Sequence, residues 1–269
     1  MTVSALRGPL RAVLTRFCLA ALAFAAALAG AEAVSRLVGV FWGAICFAAI
    51  FLALVHLAEF ATVRMATGRE LTALLVAASL LPLERLLVLS VPALPYLRLY
   101  PNALWVLPMG LVSVYAYRAR WFPDTRPRLG RPPDSGWRLL AIQATVATAG
   151  AGIGVLAAHT VPYTGYHVLF YPDTAKWIGV ALFSLAGVVE ELAWRGVLQP
   201  LATDVAGPVG ILACCAASVY VSVAWMGTGA AVPMIALSAM TSVVVYRTRC
   251  LAGSMAAHGL LNLLLVLLR

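Results

Sequence analysis

Two short stretches of this chain place acid, base and hydrogen-bonding side chains inside otherwise apolar runs. In GVVEELAWRGVLQPL, Glu190 and Glu191 are adjacent, and Arg195 follows Glu191 at the spacing that stacks opposite charges on one helix face. Glu190 then falls on a different face, available for another task. Two neighbouring carboxylates in low dielectric repel, the setting in which one of them can serve as a general base. An ion-paired helix end near the cytoplasmic interface accounts for the same spacing. In SMAAHGLLNLLL, His258 and Asn262 stand one helical turn apart and share a face. An imidazole beside an amide can polarise a carbonyl or donate to an oxyanion; a polar patch that holds helices together is the alternative. At about 1.5 Å per residue from the cytoplasmic ends, Glu190 and His258 both lie roughly 10–13 Å deep, so the two are able to meet.

These side chains need a membrane bundle to hold them. The chain has 269 residues, of which 63% are hydrophobic and 11% charged. A soluble domain carries about 25% charged residues, so this one lacks the polar groups to cover a surface in water. Apolar segments run over roughly 17–35, 37–58, 71–92, 103–118, 138–160, 175–198, 208–226, 230–246 and 251–268. The expected fold class is therefore all-α: a polytopic transmembrane bundle of about eight or nine helices, with the lipid bilayer as its solvent. The first segment follows Arg7, Arg11 and Arg16 and ends near Ala31-Glu32-Ala33, a pattern shared by signal peptides; an uncleaved anchor is the expectation, because another span follows at once.

The net charge of +9 does not point to nucleic acid, because the basic residues cap the apolar runs and act there as topology signals. With the N-terminus in the cytoplasm, Arg7, Arg11, Arg16, Arg64, Arg69, the cluster from Arg118 to Arg138, Arg195, Arg247 and Arg249 fall inside. Arg36, Arg98, Lys176 and Arg269 fall outside. This asymmetry predicts a multi-pass protein of the plasma (inner) membrane, and the excess of arginine over its single lysine fits a GC-rich bacterial genome. Residues 119–137 form a basic, proline-rich cytoplasmic linker between a four-span block (1–118) and a five-span block (138–269). Within the third span, Glu84 and Arg85 are adjacent in LPLERLLVL, point about 100° apart, and are each expected to pair with another helix. The five cysteines have no paired spacing and predict neither disulfide nor metal cluster.

The two polar stretches together resemble a known family. EELAWRG is similar to the EExxxR motif of the CAAX-processing and bacteriocin-processing (CPBP, or ABI) intramembrane endopeptidases. YRTRCLAGSMAAHGLLNLLL resembles their closing element with its HxxxN motif. The resemblance covers roughly 175–269. It implies that Glu190 activates water, that Glu191 and Arg195 support it, and that His258 and Asn262 stabilise the oxyanion. One family element is missing. Where FxxxH is expected, AASVYVSVAWMGTG offers Ala224 or Trp225 at the histidine position, and no histidine occurs between His167 and His258. The far-side histidines His159 and His167 are poor substitutes. Three protein ligands for a catalytic zinc are lacking, so neither metal nor other cofactor is expected.

The reading is thus a glutamate-dependent endopeptidase acting on membrane-associated or exported proteins and peptides. The alternative is a non-catalytic family member serving as scaffold, immunity factor or partner subunit of a processing or sorting system. A transporter, with Glu84 and Glu190 as proton carriers, lacks the broken helices and inverted repeat it would need.

Overall fold

A chain this apolar satisfies its backbone polar groups in lipid only by closing them into helices. The computed structural model describes residues 7–64, 68–90, 106, 109–118, 127, 129, 136–161 and 176–268, and no strand occurs among them. The helices are α1 (Arg7–Leu37), α2 (Val40–Arg64), α3 (Gly68–Ser90), α4 (Gly110–Arg118), α5 (Trp137–Thr160), α6 (Lys176–Glu191), α7 (Gln199–Ala206), α8 (Pro208–Met226), α9 (Ala231–Thr248) and α10 (Ala252–Leu267). A π-helical segment, Leu192–Leu198, joins α6 to α7. Counting α6, this segment and α7 as one rod, the described residues form nine helices, as the apolar periodicity predicts. Among the described residues, five stretches are long and apolar enough to cross a membrane: Thr15–Leu37, Val40–Ala61, Trp137–Thr160, Trp177–Ala206 and Thr228–Thr248. Pro208–Val223 and Ala252–Leu267 are apolar but shorter. The protein is an all-α, multi-pass membrane protein.

Two compact units divide the chain. The first comprises residues 1–86 with 201–214, the second 87–200 with 215–269. In the first unit, α1 and α2 turn about Gly39, whose φ of +140° is a conformation that a side chain would resist. Arg85 of α3 grips Glu32 of α1 with two bonds, Nε to Oε2 at 2.8 Å and Nη2 to Oε1 at 2.7 Å. Arg36, one turn along α1, donates to the same carboxylate at 3.0 Å. Arg85 thus pairs across helices as expected; the side chain of Glu84 lies outside the described residues. Glu32, part of the possible cleavage signal, is buried in this packing.

The second unit is built on α10. Its buried apolar core joins Val146 and Ala157 of α5, Val180 and Phe183 of α6, Met234 and Leu237 of α9, and Ala257, Leu261 and Leu265 of α10. In lipid, helices associate through close contact of small residues rather than through the hydrophobic effect. A methyl group at Gly150 of α5 would collide with the backbone of Ala257, so α5 and α10 touch nearly backbone to backbone. Gln143 ties the other end of the same pair: its Oε1 accepts from the Gly253 amide at 2.6 Å, and its Nε2 donates to Thr248 Oγ1 at 3.4 Å. The Gly253 amide belongs to the first turn of α10, where backbone donors have no helical acceptor. A side chain of α5 therefore caps α10. The linker proposed at 119–137 falls largely outside the described residues, as does His167. Of that stretch, Pro127 is described: its carbonyl accepts from the Tyr117 hydroxyl of α4 at 2.7 Å.

Candidate active site

Pro200 disturbs the regular α-helical bonding of the rod that begins as α6. Proline has no N–H to donate to the carbonyl four residues back, and its ring crowds that carbonyl. The chain answers by widening the turn just ahead of it. The Gln199 amide bonds to the Trp194 carbonyl, five residues back. Widened turns of this kind are common at functional sites. Here the π segment starts immediately after Glu191 and contains Arg195.

All five candidate residues lie in the second unit, and four of them form one connected cluster. Arg195 Nη1 stands 3.5 Å from Glu191 Oε1, so the one-turn pairing survives the widened turn. His258 Nδ1 faces the same Glu191 oxygen at 3.2 Å. Its Nε2 faces Glu190 Oε2 at 3.6 Å. The sequence places Glu190 on a separate face from Glu191; the structure shows that the imidazole, arriving from α10, reaches both. Adjacent helical residues diverge by about 100°, which is enough for two carboxylates to straddle one ring. Glu191 is fully buried, whereas the side chain of Glu190 keeps 18% of its surface. Asn262, one turn beyond His258, donates from Nδ2 to the Phe183 carbonyl at 3.0 Å. Gly187 allows this approach: a methyl there would lie 2.8 Å from the His258 carbonyl and 2.9 Å from the Asn262 amide.

Counting protons makes the cluster intelligible. A neutral imidazole has one N–H, and donating it from Nδ1 to Glu191 leaves a lone pair on Nε2 opposite a carboxylate. One shared proton removes that opposition. With it, wherever in the cluster it sits, the four side chains would sum to zero charge, the arrangement that low dielectric favours.

Sequence reasoning missed what holds Arg195. Its Nη2 donates to Ser238 Oγ at 2.6 Å and to the Ser238 carbonyl at 3.2 Å, with Ser218 Oγ at 3.4 Å. Ser238 and Ser218 are themselves 2.6 Å apart, and Ser218 donates on to the Cys215 carbonyl at 3.1 Å. The two hydroxyls so relay the guanidinium's hydrogen bonds to the Cys215 carbonyl, tying the π segment to α8 and α9. Serines in apolar helices were the available signal, but their number hides which ones matter.

Of the two far-side histidines, His159 is exposed at the end of α5. Ala224 and Trp225 lie in α8, and their side chains fall outside the described residues.

Residues 172–264 match the protein family described as Rce1-like, "Type II CAAX prenyl endopeptidase Rce1-like". No curated protein and no solved structure matches the chain. The match covers about a third of the chain, contains both motifs, and agrees with the CPBP resemblance.

Proposed function

We propose that the Rce1-like region of this multi-pass membrane protein is a glutamate-dependent intramembrane endopeptidase. The observation that carries the proposal is the asymmetry of the two carboxylates. Glu191 is buried and engaged by Arg195 and His258, while Glu190 retains exposure beside the same imidazole. A base must reach water and substrate; a supporting carboxylate need not.

In this reading Glu190 takes a proton from a water whose oxygen attacks the scissile carbonyl carbon. The C–O bond forms and the carbonyl oxygen becomes an oxyanion. His258 Nε2–H, more than 3.2 Å from Glu190 and so not committed to it, turns to the oxyanion together with the remaining Asn262 N–H. The C–N bond then breaks, and Glu190 returns its proton to the departing amine. Arg195 keeps Glu191 in place, and Glu191 keeps the imidazole ring aimed. Substrates are membrane-associated or exported proteins and peptides. The chain lies in the plasma (inner) membrane of a bacterium with its N-terminus in the cytoplasm, and the 119–137 linker separates a four-span block from the five-span block that holds the site. No metal or cofactor takes part.

A second reading has its own support. The absent histidine between His167 and His258 favours a non-catalytic scaffold, immunity factor or partner subunit. One comparison decides between them: the protein termini in membranes and medium of cells with the wild-type chain and cells with Glu190→Gln. Loss of specific termini in the variant, at equal membrane abundance, is expected of a protease. Unchanged termini in the variant, with altered termini on deletion of the whole gene, would establish the scaffold.

A further inference from the structure

Beyond Arg195 the rod and α9 continue to meet through polar groups. Arg195 bonds Ser238, and one turn along both helices Gln199 Nε2 donates to the Ser242 carbonyl at 3.0 Å. These two rungs form a seam behind the Glu190, Glu191 and His258 cluster. Among the described residues, the buried Glu191 Oε2, Arg195 Nε and Ser242 Oγ along it find no hydrogen-bond partner.

Orphaned buried groups are rare, and each costs about 1–3 kcal/mol, more when charged. The usual relief for a helical serine is to bond the carbonyl four residues back. For Ser242 that is the Ser238 carbonyl, which already accepts from Arg195 Nη2 at 3.2 Å and from Thr241 Oγ1 at 3.4 Å. That carbonyl is crowded, and Ser242 Oγ does not take the i−3 bond that Ser218 makes to Cys215 either. Four residues of helix rise about 6 Å, which is close to the span of one water bonded at about 2.8 Å on either side. By the same rise Ser242 and Glu191 stand about 12 Å apart, so more than one water is needed: Ser242 Oγ and Arg195 Nε flank one, Glu191 Oε2 the next, each among polar partners of the kind a buried water takes.

We propose that the seam between the π segment, α7 and α9 holds ordered water in contact with Ser242, Arg195 and Glu191. Where Glu190 acts as the proposed base, this water adjoins the site that consumes one water per bond cleaved, in surroundings where lipid supplies none. The hydration itself does not depend on that activity.

Ser242 is outside the proposed machinery and gives the test a sign. In a dry seam its hydroxyl is a penalty, and Ser242→Ala raises the melting temperature of the purified full-length protein. In a hydrated seam the alanine breaks a water-mediated bond, and the melting temperature falls. A fall supports the proposal; no change or a rise overturns it. A second measurement does not rest on stability. In a background with the five native cysteines replaced by serine, Ser242→Cys and, as a dry control, Leu261→Cys in the apolar core are treated with silver ion. After unfolding, the remaining thiols are alkylated. Water at Ser242 predicts protection by silver at least tenfold faster than at Leu261, and equal rates overturn it. Neither readout uses proteolysis, so the unchanged termini that would defeat the protease reading leave this result standing.

Discussion

At the scale of single residues, the exposure difference between Glu190 and Glu191 carries the functional reading, and His258 is the residue on which both depend. Its two ring nitrogens face different carboxylates, so replacing it breaks two relationships at once. His258→Ala is expected to raise the barrier of the proposed hydrolysis by about 2.7–4 kcal/mol, the range for losing an oxyanion donor. A loss of roughly a hundred- to a thousandfold in turnover, with membrane insertion intact, is the outcome to look for in a terminus-release assay. Turnover within a few-fold of wild type would remove His258 from the mechanism. The five candidate residues were legible because ionisable groups in an apolar run stand out. Ser218, Ser238 and Gln143 were not, because neutral polar side chains are ordinary in membrane helices and only their partners give them meaning.

At the scale of elements, α10 places His258 and Asn262, and α5 places α10. The near-backbone contact at Gly150 and the Gln143 cap act at two levels of one interface. Gln143→Leu keeps the side-chain volume but leaves the Gly253 amide buried without an acceptor. The expected destabilisation is about 1–3 kcal/mol, read as a lowered melting temperature in detergent. Gln143→Glu retains the acceptor oxygen, and its melting temperature should fall less than that of the leucine variant. Equal losses would mean that the cap contributes nothing. Most helix ends in the second unit followed from apolar periodicity to within a few residues, whereas α1 starts ten residues before its segment and α2 ends six after. One mismatch is instructive: the sequence reading ends the sixth segment at 198, short of Pro200, whereas the rod runs on to Ala206. Proline stops a helix only where its neighbours cannot rearrange. Here a widened turn absorbs the missing bond, and that turn also carries Arg195. The irregularity that escaped the periodicity is the one beside the site.

At the scale of the whole molecule, the chain keeps a second charged cluster, Glu32 with Arg36 and Arg85, in the unit that lacks the candidate site. Its arrangement makes a ranked prediction possible. Removing one partner of a buried pair costs about 3–5 kcal/mol because the other charge is left unmatched, while replacing both by apolar groups is often neutral. The two partners are not equivalent here. Arg85→Leu leaves Glu32 still bonded to Arg36 at 3.0 Å, whereas Glu32→Ala takes from Arg85 the carboxylate that accepts two of its N–H groups. Arg36 is mostly exposed, so its help is partial. The expected order of destabilisation is therefore Glu32→Ala first, Arg85→Leu second, and the double variant Glu32→Leu with Arg85→Leu least. Thermal unfolding in detergent, followed by helicity, measures all three. A double variant as unstable as Glu32→Ala would mean that the cluster holds α1 to α3 by more than charge balance. An Arg85→Leu variant as unstable as Glu32→Ala would mean that Arg36 does not share the carboxylate in the membrane-solvated protein.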